Sequence, residues 1–153
     1  PLELKFSFYH LSSHLADEFI LSGRPFHRLN FVRDALVLGI AFWPTDALRL
    51  YVEPDWAFHV DGGSRPWQFQ FGADFSPPCP TGFRGAPFLA LNGRIRQEVD
   101  FGGGFTLQTG WQWRSRTGQL LRFGFHYFDG QSEQCQFYTE HEQQIGLGLW
   151  YDF

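Results

Sequence analysis

The sequence lacks several features that would point to a familiar class of soluble protein. Its 153 residues include no methionine, and a single lysine, Lys5, stands against 11 arginines. This composition argues against an ordinary α/β enzyme, which is usually rich in Leu, Ala, Glu and Lys. No run of about 18 apolar residues is present, which excludes a transmembrane helix. A transmembrane β-barrel stays open, because each of its strands needs only about 9–11 alternating residues.

Positive charge and cysteine are also scarce. The net charge is -4 and no stripe of Lys or Arg occurs, which argues against nucleic acid as a partner. Cys79 and Cys135 are too few for a disulfide scaffold and lack the spacing of a metal site. We expect them at opposite ends of the fold, too far apart to bond. Pro1 at the first position indicates a processed chain or a fragment.

Glycine and phenylalanine are abundant, with 17 and 19 copies, and from residue 48 onward apolar and polar residues alternate with the period of a strand. Short clusters of Gly, Pro, Asp and Ser separate the alternating runs. Seven such connections predict eight strands, and linkers this short force neighbouring strands to pair antiparallel. The sequence therefore predicts one all-β domain over residues 1–153, an antiparallel up-and-down barrel. The runs are about 2–21, 28–43, 48–60, 67–75, 89–99, 105–114, 121–127 and 145–153.

The two faces of these strands differ in a way that favours a membrane barrel. One face carries bulky aromatics on nearly every strand, with Trp and Tyr at the segment ends, as in the interfacial girdles of a lipid-facing surface. The other face is rich in Gln, Gly and Arg with acidic partners, as expected for a crowded lumen. We expect the odd-numbered positions of 67–75 and 145–153 to face lipid, and the lumen to be filled by side chains rather than open as a pore. Strand three is expected to place Phe58 and Val60 on the apolar face and His59 on the polar face.

The C-terminus adds a more specific signal. Apolar residues occupy every second position up to Tyr151 and the terminal Phe153, which resembles the C-terminal strand of bacterial outer-membrane barrels that the assembly machinery recognises. Residues 9–19 and 143–153 are similar to an uncharacterised domain-of-unknown-function family of such barrels. The resemblance implies a bacterial outer-membrane location. It also implies outer-membrane lipid and the assembly machinery as partners, with other membrane subunits as further candidates, and a role as a structural or binding component without a cofactor. This family also makes the chain a candidate for the C-terminal part of a longer barrel.

One concentrated polar cluster lies at the end of strand one and the start of strand two. In a regular strand, Leu2, Leu4, Phe6 and Phe8 would lie on the same face as His10 and Ser12. Because this face would change from apolar to polar along the strand, we expect a bulge or a change of depth there. Hairpin pairing about a turn at 23–26 is expected to bring His14 toward Arg33 and Asp34. Closure of strand eight on strand one would add Glu140, His141 and Glu142. The full cluster on the first two strands is His10, Ser12, Ser13, His14, Asp17, Glu18, Asn30, Arg33 and Asp34.

Several interpretations of this cluster remain open. His10 and Ser12 share a face at a spacing similar to that of outer-membrane phospholipase and lipid A deacylase barrels. This implies an acyl hydrolase in which Ser12 attacks, His10 accepts its proton and Glu18 or Asp34 orients the imidazole. Ser13 and Arg24 depart from that pattern. The alternatives are a lumen-facing relay or path for a small solute, a structural network of paired charges, and a metal site. The metal site would use His10, His14 and His141 with Glu18 or Glu140.

Overall fold

A computed structural model describes residues 1–14, 21 and 28–153, and its described part consists of eight strands. Two single 3-10 turns, Gln97–Val99 and Cys135–Phe137, lie in connections between strands. No helix among these residues is long and apolar enough to cross a membrane. The strands are β1 (Leu2–Ser13), β2 (Phe31–Thr45), β3 (Leu48–Asp61), β4 (Trp67–Phe75), β5 (Ala86–Arg96), β6 (Gly102–Arg114), β7 (Leu120–Gln131) and β8 (His141–Asp152).

The eight strands form one antiparallel meander, which confirms the predicted strand count and up-and-down order. Each strand pairs with its neighbour in sequence, from β1 to β8. In the described part of the chain no pairing joins β1 to β8, so the sheet has two free edges rather than the closed ring of a barrel. Both edges are exposed: Phe6 on β1 is 73% accessible and Leu147 on β8 is 76% accessible.

The two faces of the sheet follow the predicted alternation. Cross-strand pairs such as Phe71 with Gly93, and Phe123 with Leu149, place apolar residues opposite one another on one face, which we call the outer face. The other, inner face holds the buried positions Arg33, Gln68 and Gln112. The odd-numbered positions of β4 and of β8 from Gln143 to Tyr151 all share the outer face.

A bulge in β3 overturns part of the predicted facing. The pairing of β2 with β3 shifts register between Asp34, which pairs with His59, and Ala35, which pairs with Ala57. The extra residue turns His59 to the outer face, and Val60 pairs with Arg33 on the inner side. In β1, by contrast, the register with β2 is unbroken. The predicted bulge is therefore absent from β1, and the outer face of β1 passes from apolar to polar side chains.

The connection between β7 and β8 crosses one end of the sheet. The Gln136 side chain accepts a hydrogen bond from the Leu29 amide at 3.0 Å, and the Tyr138 ring packs against Phe31 with centroids 5.9 Å apart. Arg96 donates to the carbonyl of Ser132, a fully buried residue of this connection, at 3.0 Å. These contacts join the start of β2 to the far side of the sheet, so the inner face is enclosed at this end.

Candidate functional site

The structure divides the predicted polar cluster between the two faces. His10 pairs with Asp34 across β1 and β2, and Ser12 follows two residues later on the same outer face. Arg33 and Ser13 lie on the inner face. Nδ1 of His14 lies 2.8 Å from Nη2 of Arg28, and His14 does not pair with Asp34. The predicted hairpin register is therefore wrong. Asp17 and Glu18 lie outside the described residues.

Asp34 holds two imidazoles at once. Its Oδ1 lies 2.6 Å from Nδ1 of His10, and its Oδ2 lies 2.8 Å from Nδ1 of His59. This cluster lies beyond the apolar part of the outer face, which ends on these strands at Phe8 and Phe58, whose rings stack at 6.2 Å. The hydrogen bond from His10, followed by that from His59, lowers the pKa of the Asp34 carboxyl below its ordinary value, so it stays ionised at neutral pH.

The contact with Asp34 fixes the chemistry that His10 can perform. An ionised carboxylate at Nδ1 accepts a hydrogen bond from the N–H of that nitrogen, and Nε2 is then the basic atom, as in the tautomer that a general base of a Ser-His pair requires. Ser12 is exposed, and its hydroxyl makes no side-chain hydrogen bond with any residue in the described ranges. The carboxylate–imidazole contact that a Ser-His pair would need is thus present, whereas no hydrogen bond between Ser12 and His10 is found among the described residues.

The described residues predicted for a metal site lie at different edges of the open sheet, and Glu18 is outside the described part. His141 lies at the start of β8, on the opposite edge of the sheet from His10, with its Nε2 3.0 Å from Oδ1 of Asp129. Asp129 also accepts hydrogen bonds from Tyr127 and Gln143 at 2.8 and 2.9 Å. Among the described residues, no group of three or more His, Cys, Asp or Glu side chains is arranged to hold an ion.

Arg33 belongs to the packed interior rather than to a site. Its side chain is fully buried and donates to Oδ1 of Asp55 at 2.9 Å and to the hydroxyls of Ser64 and Tyr9 at 3.2 Å. Carbonyl oxygens of Arg65 and Pro66 accept its remaining protons. The guanidinium is therefore saturated, and it ties β1, β2 and β3 together beneath the enclosed end.

The middle of the inner face contains cavities rather than a solid core of side chains. A cavity of about 480 Å³ lies over β3 to β7, and a second cavity of about 260 Å³ lies over β1 to β5. Ion pairs border them: Arg49 with Asp74 at 2.9 Å, and Lys5 with Glu53 at 2.7 Å. Basic side chains of the inner face therefore have acidic partners, as the sequence pattern predicted.

Sequence reasoning missed His59 as a member of the candidate site. The residues at the β3 bulge itself, Ala57, Phe58 and His59, include no glycine, proline or other turn-forming residue, so strict alternation placed His59 on the inner face. Only the register with β2 reveals its contact with Asp34.

Comparison with known families places the chain in one of them. A family model described as "Protein of unknown function (DUF1207)" matches residues 2–153. The chain belongs to the DUF1207 family. This confirms the predicted membership of an uncharacterised family, and the DUF1207 description names neither an activity nor a location. No curated protein and no solved structure matches the chain.

Proposed function

We propose that this chain forms the wall of a transmembrane β-barrel in the bacterial outer membrane, where it acts as a structural or binding component with a polar interior. The supporting observation is the division of the sheet into an apolar outer face and a polar inner face. Outward side chains such as Leu91, Phe71 and Leu149 are 40–70% exposed, whereas the arginines within the strands face inward. An apolar surface of this extent suits contact with lipid rather than with water.

The dimensions of the outer face agree with a bilayer. On β4 the apolar positions extend from Trp67 to Phe75, nine residues, which agrees with the length of about 9–11 residues of a tilted transmembrane strand. Aromatic side chains stand at both ends: Trp67 stacks on Phe69 at 5.8 Å at one end, and Tyr151 contacts Phe153 at 6.4 Å at the other.

A membrane location requires that the free edges of β1 and β8 find partners, because unpaired backbone groups are too costly in hydrocarbon. We propose that β1 and β8 pair with each other. They are equal in length at 12 residues, run antiparallel in the meander, and both carry apolar residues outward. On the inner side of β8, the space beside Gly146 is open, because a Cβ at this position would meet no atom within 4 Å. Inner side chains of β1 would therefore find room there. The strand ending at Phe153 would also be the one that the assembly machinery binds.

The lipid-facing assignment is tested by placing an arginine on each face. Leu91→Arg on the outer face should lower the free energy of unfolding in lipid vesicles by about 2–4 kcal/mol. Thr106→Arg, on the inner face of the adjacent strand, is the matched control and should cost much less, because its side chain enters the cavity. Equal, small effects of both substitutions would mean that the outer face meets water, and the membrane proposal would then fail.

A second candidate function is acyl-ester hydrolysis at His10 and Ser12. The observation that favours it is the 2.6 Å contact of Asp34 with Nδ1 of His10. In this scheme the Ser12 Oγ attacks the ester carbonyl, His10 Nε2 takes the Oγ proton and passes it to the departing alcohol, and water then releases the fatty acid. The site faces outward beyond the apolar surface, where the ester groups of membrane lipids lie. Glu18, which lies outside the described residues, stays a prediction as the alternative residue that orients the His10 imidazole.

Release of fatty acid from phospholipid and lipopolysaccharide tests this candidate. Ser12→Ala and Asp34→Asn should each reduce turnover strongly, Ser12→Ala by about a thousandfold or more. The neighbouring Ser13→Ala is the matched control and should keep full activity, because Ser13 lies on the opposite face. Absence of turnover in the wild type, or its survival in Ser12→Ala, would remove the hydrolase.

A further inference from the structure

We propose that the larger inner cavity binds an uncharged, polyhydroxylated solute of about mono- to disaccharide size. Its volume of about 480 Å³ falls within the range of about 300–1,000 Å³ typical of small-molecule sites. The inference rests on the proposed function only in that the inner face is the one turned away from lipid. It goes further by naming the class of ligand.

The charges around the cavity disfavour an ionic ligand. Two arginines, Arg94 and Arg122, balance two carboxylates, Asp74 and Glu133, so the lining carries no net formal charge. Each of them already has a partner: Arg94 lies 3.6 Å from Glu133, Arg122 lies 3.1 Å from Asp152, and Asp74 pairs with Arg49. A charged solute would have to break one of these pairs or meet a like charge, at a cost in free energy.

The uncommitted polar groups around the cavity suit hydroxyls. The Gln70 amide and the Thr106 hydroxyl face the cavity and make no side-chain hydrogen bond with the described residues. Asn92 donates to the Tyr51 hydroxyl at 2.6 Å, which leaves its carbonyl oxygen as an acceptor. His126 contacts Gln108 through Nδ1 at 3.2 Å, which leaves Nε2. Both donors and acceptors thus line one cavity, and a sugar hydroxyl can both donate and accept a hydrogen bond.

The positions of these groups fit one compact ligand. Gln70 lies on β4, Asn92 on β5, Thr106 on β6 and His126 on β7, so four consecutive strands each contribute one group to the same cavity. Their backbones are fixed by regular strand pairing, and sites on strands hold their groups more precisely than sites on loops. A polyol lying across these strands would be able to meet all four.

Equilibrium binding to the detergent-folded protein tests the proposal, with glucose and sucrose as neutral probes and gluconate and glucosamine as charged ones. At concentrations up to about 10 mM, where weak sites of millimolar affinity saturate, we expect a neutral sugar to bind and both charged probes to bind more weakly. Gln70→Leu and Thr106→Val should each weaken binding roughly two- to tenfold. Gln144→Leu, an inner-face glutamine on β8 outside the cavity, is the matched control and should leave binding unchanged.

Each outcome decides the matter. Failure of both sugars to bind, tighter binding of a charged probe, or equal effects of Gln70→Leu and Gln144→Leu would overturn the proposed site. A protein that folds in detergent but binds no sugar disproves this inference and leaves the membrane proposal standing. A protein that binds sugar yet stays folded and monodisperse in water without detergent disproves the membrane proposal and leaves the sugar site standing.

Discussion

Arg33 shows how a single residue can organise the inner face of a sheet. A fully buried guanidinium is tolerated only when every donor has an acceptor, and here Asp55 supplies the compensating charge. Tyr9 completes the group: its hydroxyl donates to Asp55 at 2.5 Å and accepts from Arg33 at 3.2 Å. Three strands are therefore joined by one network of charge-assisted hydrogen bonds.

Removing one member of this network should be costly. Arg33→Met leaves Asp55 as a buried, unpaired carboxylate, and we expect it to lower the free energy of unfolding by about 3–5 kcal/mol. The double variant Arg33→Met/Asp55→Leu should be less destabilised than the single one, because no charge is left uncompensated. Denaturant unfolding measures both, with Arg116→Met in an exposed turn as the control, expected within about 0.5 kcal/mol of wild type. A double variant at least as unstable as Arg33→Met would contradict this account.

At the scale of the strands, the sequence pattern predicted most of the sheet but not its irregularities. In β4 and β8 nothing interrupts the alternation, so the outward residues could be read directly. In β3 one extra residue reverses the facing of His59, and no glycine marks the bulge. A turn at 23–26 predicted that His14 lies beside Asp34. In the structure the residue of β1 that pairs with Asp34 is His10.

The candidate site shares this mixture of success and failure. His10, Ser12 and Asp34 could be grouped from the sequence because adjacent strands had to form a hairpin. The second imidazole on Asp34 depends on a register shift that the alternation cannot show. The sequence also predicts that Trp and Tyr residues at the segment ends lie on the lipid-facing side. The ring centroid of Trp43, near the end of β2, instead lies 5.6 Å from the guanidinium of Arg49, which belongs to the inner face.

For the whole molecule, the central issue is how the two free edges are satisfied. Both β1 and β8 are long, regular and apolar on their outer side, and along the apolar stretch neither strand has a proline, a bulge or an outward charge to protect its exposed edge. The connection that encloses one end already joins β7 and β8 to the start of β2. Closure of β1 on β8 would complete a barrel with lipid outside and the polar cavity inside.

Disulfide trapping in lipid vesicles tests this closure most directly. In a Cys79→Ser/Cys135→Ser background, Phe6→Cys is combined in turn with Ile145→Cys, Leu147→Cys or Leu149→Cys, which covers three registers on the outer face. A disulfide needs Cα atoms within about 7 Å, so pairing of the edges should give one combination that oxidises readily within a single chain. Failure of all three combinations, or cross-links only between chains, would contradict a barrel closed by β1 and β8.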